Sequence, residues 1–115
     1  MPSKNPAQHL KDIIDNIDAI RAFTNDMTLE GFAEDRKTVY AVTRALEIIS
    51  EASRRLPDEI RNRHGDIDWT AVAAAGNVYR HEYEVVDDDL VWHTVQHSLM
   101  TLRDVAAVEL QRLTG

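Results

Sequence analysis

Apolar side chains recur at alternating spacings of three and four residues through most of this chain of 115 residues. The clearest runs cover 10–20, 39–56 and 92–113. This period places the apolar groups on one face of an α-helix. Only 4 glycines and 3 prolines interrupt the chain, and no stretch alternates with the period of two that is typical of a strand. The sequence therefore predicts an all-α fold, an up-and-down bundle of four to five helices in which residues 1–115 form one domain.

The first half of the chain is predicted to form two long helices. Asn5 is a suitable N-cap, and the proline after it favours a first helical turn, so a helix is expected over 6–24. A single further turn is expected near 29–32. The next apolar run predicts a helix over 34–55, which Pro57 ends because a proline forces the preceding residue out of helical geometry.

The second half begins with a short polar segment that is expected to form one helical turn and to close at Gly65. Asp68 can cap a third long helix that begins at Trp69. The aspartates at 87–89 favour the positively charged N-terminus of a last helix. That helix is predicted to continue almost to Gly115.

The last helix carries two apolar rows. The main row consists of Trp92, Val95, Leu99, Leu102, Ala106, Leu110 and Leu113. A second row beside it consists of Val91, Met100, Val105 and Val108. Two interpretations fit this surplus, since the second row can form an oligomer interface or can belong to a central helix that is buried on most sides.

The charge and composition exclude several classes of protein. Lys and Arg number 13 and Asp and Glu number 20, which gives a formal net charge of −7. A chain this acidic is expected to bind a protein partner and no DNA duplex, although a small local site can still engage one strand. The absence of cysteine excludes disulfides and thiolate metal sites. With no apolar segment long enough for a membrane span or a signal peptide, a cytoplasmic protein without membrane contact is expected.

Common cofactor and metal motifs are missing from the sequence. The glycines are too widely separated for a phosphate-binding loop, and no histidine has a glutamate three positions before it, as a di-iron bundle requires. His93 and His97 are four residues apart and could chelate a metal, but Thr94 replaces the glutamate of the zinc-protease signature. A hydrated helix face is the favoured interpretation, and neither a cofactor nor a metal is expected.

Polar groups with catalytic potential are concentrated in the segment 76–89. Asn77 and His81 are four residues apart and Arg80 lies beside them, so one helix face presents an amide, a guanidinium and an imidazole. Histidine normally titrates near neutral pH and is therefore suited to proton transfer. The alternative is that His81 is a solvated residue near a helix C-terminus, where a cation is favourable in any case.

Three blocks of sequence occur in order on the predicted helices: RALEIISEASRRLP at 44–57, IDW at 67–69 and GNVYRHEYEVVDDDLVW at 76–92. Together with the helical layout they resemble the HepT-like (DUF86) branch of the HEPN superfamily over nearly the whole chain. The resemblance implies an HEPN-like bundle and a metal-independent ribonuclease that acts as a toxin on RNA. It also implies a partner, a minimal nucleotidyltransferase antitoxin of the MntA type that is encoded beside the toxin.

The family signature is an arginine, four residues, a histidine, any residue and a tyrosine. His81 and Tyr83 match its second half, whereas Gly76 occupies the position of the arginine. The resemblance then implies that His81 is the general acid or base, that Asn77 orients the imidazole or the substrate, and that Arg80, or an arginine from another chain, is the phosphate-stabilising cation. The arginine and the histidine of the family signature are five residues apart, so they lie about 140° apart around a helix and do not share one face. A composite site at a homodimer interface is therefore expected.

Tyr83 is implied to be the residue onto which the antitoxin transfers AMP. The added phosphate and nucleoside would place negative charge and bulk beside His81 and so silence the toxin. The alternative for Tyr83 is a ring packed against the core. The alternative for the whole protein is a catalytically impaired HEPN binding module that pairs with a nucleotidyltransferase, in which Gly76 marks the lost cation.

Overall fold

A computed structural model describes residues 5–73 and 88–115. Seven helices lie in these parts of the chain, and no strand does. Their bounds are α1 Pro6–Thr24, α2 Leu29–Glu34, α3 Arg36–Arg54, α4 Asp58–Arg63, α6 Asp88–His97 and α7 Leu99–Thr114, while α5 begins at residue 69 and is described as far as residue 73. The prediction of an all-α helical bundle is therefore confirmed.

Two helix boundaries predicted from sequence agree with the structure, namely the start of the first long helix and the end of the second. The Asn5 side chain accepts a hydrogen bond from the Gln8 amide at 3.2 Å and begins α1 as expected. α3 is capped by Asp35, whose Oδ1 accepts from the Thr38 amide at 3.2 Å. α3 ends three residues before Pro57, which agrees with the predicted stop.

The short helices α2 and α4 each contribute one buried side chain to the core. In α2, Phe32 is fully buried and its ring lies 5.3 Å from that of Trp92, measured between centroids. In α4, Ile60 is the buried residue. α4 ends at Arg63 with His64 as its C-cap, so Gly65 directly follows the cap, as expected for a glycine that closes a helix. Gly65 does not, however, have the left-handed backbone that is typical of this position.

The prediction of one continuous last helix was wrong. The chain turns at Ser98 between α6 and α7, where φ is −110° and no side-chain bond caps the new helix. The Ser98 amide still donates to the Thr94 carbonyl at 3.0 Å, so the interruption is a kink rather than a loop.

One hydrophobic core is shared by the described helices. The apolar rows predicted for α1 and α3 are buried in full. α7 packs antiparallel to α1, since Asp18 bonds to Arg103 while Thr24 lines the same groove as Leu99. No helix in residues 5–73 and 88–115 has the length and apolar character that a membrane crossing requires.

The surplus apolar row of the last helices is divided between core and surface. Val91 and Val105 are buried, whereas Met100 and Val108 are 43% and 49% exposed. Leu113, predicted for the core, is 48% exposed because it lies in the last turn of α7, beyond the packed part of the bundle. The core interpretation therefore holds for Val91 and Val105, and an oligomer interface at Met100 and Val108 stays a prediction.

Candidate functional site

The start of α5 is held by three sets of hydrogen bonds. Asp68 Oδ1 accepts from the Ala71 amide at 3.0 Å, which is the predicted cap. The Trp69 indole Nε1 donates to the carbonyls of His64 and Arg61 at 3.0 and 3.2 Å. From α3, Ser50 Oγ donates to the Val72 carbonyl at 2.7 Å. These bonds fix the position from which the chain enters the segment 76–83 that carries the predicted site.

A cluster of ion pairs around one buried carboxylate lies beside the start of α5. The Glu109 side chain on α7 is 0% exposed, and its Oε1 accepts from Arg63 Nη2 at 2.5 Å. Glu109 Oε2 lies 2.7 Å from His64 Nε2 and 3.2 Å from Arg112 Nε. The cluster therefore ties α7 to the last turn of α4 and to the residue that follows it.

The surrounding cations keep the buried carboxylate ionised. The hydrogen bond from Arg63 lowers the pKa of Glu109 to about 2; burial opposes this shift, and the bond to His64 adds to it. The same contact raises the pKa of Arg63. A carboxylate with so low a pKa is a poor general base near neutral pH. The cluster is therefore a joint between helices, and its chemistry does not make it a catalytic centre.

Sequence reasoning missed this cluster, although one signal was present. Glu109 follows Leu102, Val105 and Ala106 at helical spacing, so it occupies a position on the apolar face of α7. A carboxylate at such a position is either paired or a source of instability. The partners could not be named from sequence, because Arg63 and His64 precede Glu109 by 46 and 45 residues.

The residues predicted to carry the chemistry lie outside the described residues. They are Asn77, Arg80, His81 and Tyr83, and Gly76, which occupies the position of the signature arginine, lies outside them as well. The structure describes the chain up to residue 73 and again from residue 88, so it gives both approaches to this segment. The roles assigned to these side chains stay predictions.

The histidine pair considered for metal binding is on the surface of α6. His93 and His97 are exposed, and their ring centroids are 4.4 Å apart. No group of three or more metal-ligating side chains is present among residues 5–73 and 88–115. Two imidazoles alone leave at least two positions of a tetrahedral zinc ion to other ligands.

Comparison with known proteins gives a consistent family assignment. The sequence profile of the family described as "Ribonuclease HepT-like" matches residues 13–108. "Probable ribonuclease HepT" of Thermococcus cleftensis is 38% identical over 95 residues, which cover 83% of this chain and 86% of that protein. "Putative RNase MJ0127" of Methanocaldococcus jannaschii is 37% identical over 95 residues, which cover 83% and 78% of the two chains.

A bacterial relative is more distant. "Putative RNase TTE0752" of Caldanaerobacter subterraneus subsp. tengcongensis is 28% identical over 109 residues, covering 95% of this chain and 97% of that protein. No solved structure matches the chain at a significant level. The profile match covers most of the chain and includes the whole segment 76–83, and the helical bundle is of the HEPN type. The protein therefore belongs to the HepT-like ribonuclease family.

Proposed function

We propose that this protein is the ribonuclease toxin of an HEPN/nucleotidyltransferase toxin–antitoxin pair and that residues 1–115 act as one HepT-like domain in the cytoplasm. The observation that carries the proposal is the match to the HepT-like ribonuclease family over residues 13–108, because it spans the His81-Glu82-Tyr83 part of the family signature. The names of the relatives, which designate ribonucleases, support the same activity.

His81 carries the proton transfers in the proposed reaction. The imidazole takes the proton of the RNA 2′-hydroxyl as that oxygen attacks phosphorus, and an imidazolium returns a proton to the 5′-oxygen as its bond to phosphorus breaks. Arg80 stabilises the negative charge that grows on the phosphorane, and Asn77 orients the imidazole or the substrate. No metal takes part in this scheme.

The proposed site is formed by two copies of the chain. In a two-fold dimer the two His81 side chains can divide the roles of base and acid, and two Arg80 guanidinium groups then lie close to one phosphodiester. Such a cleft concentrates positive potential although each chain is acidic. The homodimer also supplies a second Arg80, which takes the place of the cation that is missing at Gly76, the position of the arginine in the family signature.

Tyr83 is the proposed site of control. The partner antitoxin, a minimal nucleotidyltransferase, transfers AMP from ATP to the phenolic oxygen. That oxygen loses its proton and attacks the α-phosphorus of ATP, the bond to the β-phosphate breaks, and pyrophosphate leaves. The added charge and volume then occupy the place of the substrate phosphate. An intact-mass spectrum of the protein co-expressed with the adjacent reading frame tests this step. An increase by one or more AMP units that maps to Tyr83 supports it, and an unmodified chain contradicts it.

Replacement of His81 tests the catalytic part of the proposal. We expect His81→Ala to abolish RNA cleavage and growth arrest, whereas His93→Ala, the loss of an exposed histidine on α6, should leave both unchanged. Equal cleavage by wild type and His81→Ala contradicts the proposal.

The presence of Gly76 favours a second candidate function, a catalytically impaired binding module. A gain of RNA cleavage in Gly76→Arg, together with no cleavage by the wild type, would establish this second function.

A further inference from the structure

The outward face of α3 differs in charge from the other described helices. Among the helices in residues 5–73 and 88–115, α3 is the one in which cations outnumber carboxylates. Its charged residues are Arg36, Lys37, Arg44 and Arg54 against Glu47 and Glu51. No carboxylate lies between residues 36 and 44. In a chain with a net charge of −7, this end of α3 is therefore a local concentration of cations, which begins directly after Glu34 and Asp35.

An exposed aromatic ring lies within this concentration of cations. Tyr40 is 62% exposed, more than any other large hydrophobic side chain of the described residues. Arg36 Nη2 donates to Tyr40 Oη at 2.7 Å, and the guanidinium carbon lies 5.5 Å from the ring centroid. Because Arg36 contacts both the hydroxyl and the ring, it restricts the rotamers of the tyrosine while leaving most of its surface open.

Arg36, Tyr40 and Arg44 form what we call the α3 stripe. Successive members are four residues apart, so they share one face and are about 6 Å apart along the helix axis. This spacing is comparable to that of successive phosphates in an extended single strand. The Arg44 side chain is 70% exposed and contacts Glu47 only at 3.4 Å, a surface ion pair that costs little to break.

The α3 stripe leads into a polar groove between α1 and α3. The groove has a volume of about 470 Å³ and is lined by His9 and by charges of both signs. Arg44 and Arg55 are paired with Glu47 and Glu51, and Asp12 is a third carboxylate. His9 Nε2 is buried and has no hydrogen-bond partner among the described residues. Buried polar atoms are normally paired, so this nitrogen is a suitable partner for a polar group that enters the groove.

We propose that the α3 stripe and the adjoining groove bind single-stranded RNA. A base stacks on Tyr40, and Arg36 and Arg44 contact the phosphates on either side. His9 bonds to a base edge in the groove, where the three carboxylates disfavour a phosphate. The proposal rests on the proposed function in taking RNA as the substrate, and it adds a binding surface separate from residues 76–83. An aromatic ring between two cations favours a nucleic acid strand, since stacking and phosphate neutralisation are the two contacts such a strand requires.

Fluorescence anisotropy of a labelled 2′-O-methyl oligouridylate of about twelve nucleotides, a length in the range of known single-strand sites, tests the proposal. The 2′-methyl group prevents attack by the 2′-oxygen, so binding is measured without cleavage. Tyr40→Ala should weaken binding about ten-fold, the usual loss for one stacked base, whereas Tyr40→Phe should retain it. The matched control is Phe23→Ala, which removes an aromatic ring that is 47% exposed on α1 and should change nothing.

The salt dependence of binding tests the phosphate contacts separately. Arg36→Ala and Arg44→Ala should each lower the slope of log affinity against log salt by about 0.7, the value for one phosphate of a single strand. Arg21→Ala, which removes an exposed cation on α1, should leave the slope unchanged. All these side chains are exposed, and circular dichroism should show unchanged helix content.

The outcomes that overturn the proposal are distinct from those that overturn the proposed function. Wild type that fails to bind the oligouridylate at low salt, or Tyr40→Ala that binds as wild type does, refutes the α3 surface. A Tyr40→Ala variant that loses its dimer or its nucleotidyltransferase partner while its RNA binding is unchanged also refutes the α3 surface. On unmodified RNA, Tyr40→Ala should raise KM with kcat unchanged, whereas His81→Ala should abolish kcat with binding retained, so either proposal can fail alone.

Discussion

Glu109→Gln is the substitution for which the structure makes the sharpest stability prediction. The amide keeps the shape of the side chain but removes the charge that binds Arg63 and His64. In the wild type, folding lowers the pKa of Glu109 from 4.5 to about 2. One pKa unit corresponds to about 1.4 kcal/mol, so the shift alone represents about 3 kcal/mol. Because Arg63 and Arg112 are 41% and 60% exposed, solvent screening reduces the expected loss to about 2 kcal/mol.

The same linkage predicts how this loss depends on pH. Since the pKa of Glu109 is lower in the folded state than in the unfolded chain, the ionised carboxylate stabilises the protein fully above about pH 4.5. The stabilisation is lost as the pH falls through the interval towards about pH 2. The difference in unfolding free energy between wild type and Glu109→Gln should therefore be about 2 kcal/mol at neutral pH and should approach zero near pH 2.

Urea unfolding followed by circular dichroism at a series of pH values measures this difference. With an m-value of about 1–3 kcal/mol/M, the midpoint of Glu109→Gln should fall by about 1 M at neutral pH. Glu34→Gln is the matched control, because it removes an exposed carboxylate from α2 and should shift the midpoint little at any pH. A difference between wild type and Glu109→Gln that is equally large at pH 7 and pH 2 would refute the assignment of the stability to the ionised carboxylate.

Three further substitutions give expected outcomes that thermal or urea unfolding can check. Ser50→Ala removes the bond to the Val72 carbonyl at the start of α5 and should cost about 1 kcal/mol; no loss would contradict the anchoring of this turn. Arg103→Ala breaks the ion pair with Asp18, whose pKa it lowers by hydrogen bonding; because both partners are partly exposed, the loss should stay below about 1 kcal/mol and shrink in high salt. Asn5→Ala removes the cap of α1 and should cost about 1 kcal/mol, whereas Asn5→Asp should retain most of it.

Local signals determined which parts of the fold could be predicted. The starts of α1 and α5 follow from Asn5 and Asp68, since a cap bonds within its own first turn and needs no distant partner. The kink at Ser98 could not be found in this way, because an isolated serine is tolerated in many helices. The joint at Glu109 could not be found either, since its main partners are brought to it only when α4 packs beside α7.

In the candidate site, the sequence predicts the motif residues but does not reveal the α3 stripe. His81 and Tyr83 are predicted from a short motif with fixed spacing, which can be read from the sequence without knowledge of the packing, and their roles stay predictions. The α3 stripe was overlooked because its residues have ordinary helix spacing, and only the exposure of Tyr40 and its contact with Arg36 distinguish it from a solvated surface. The exposure of Tyr40 depends on which face of α3 packs against α1, and the packing of the whole core determines that face.

The distribution of charge around α3 also indicates how a strand would lie on it. α2 carries two glutamates and no cation, and only Asp35 separates its end from the start of α3. A phosphate backbone is therefore repelled at the α2 end and attracted from Arg36 onwards. At the other end, the groove holds three carboxylates, Asp12, Glu47 and Glu51, against Arg44 and Arg55, so it accepts a base edge better than a phosphate. In the proposed complex the phosphates should thus lie along the α3 stripe, between the acidic α2 and the groove.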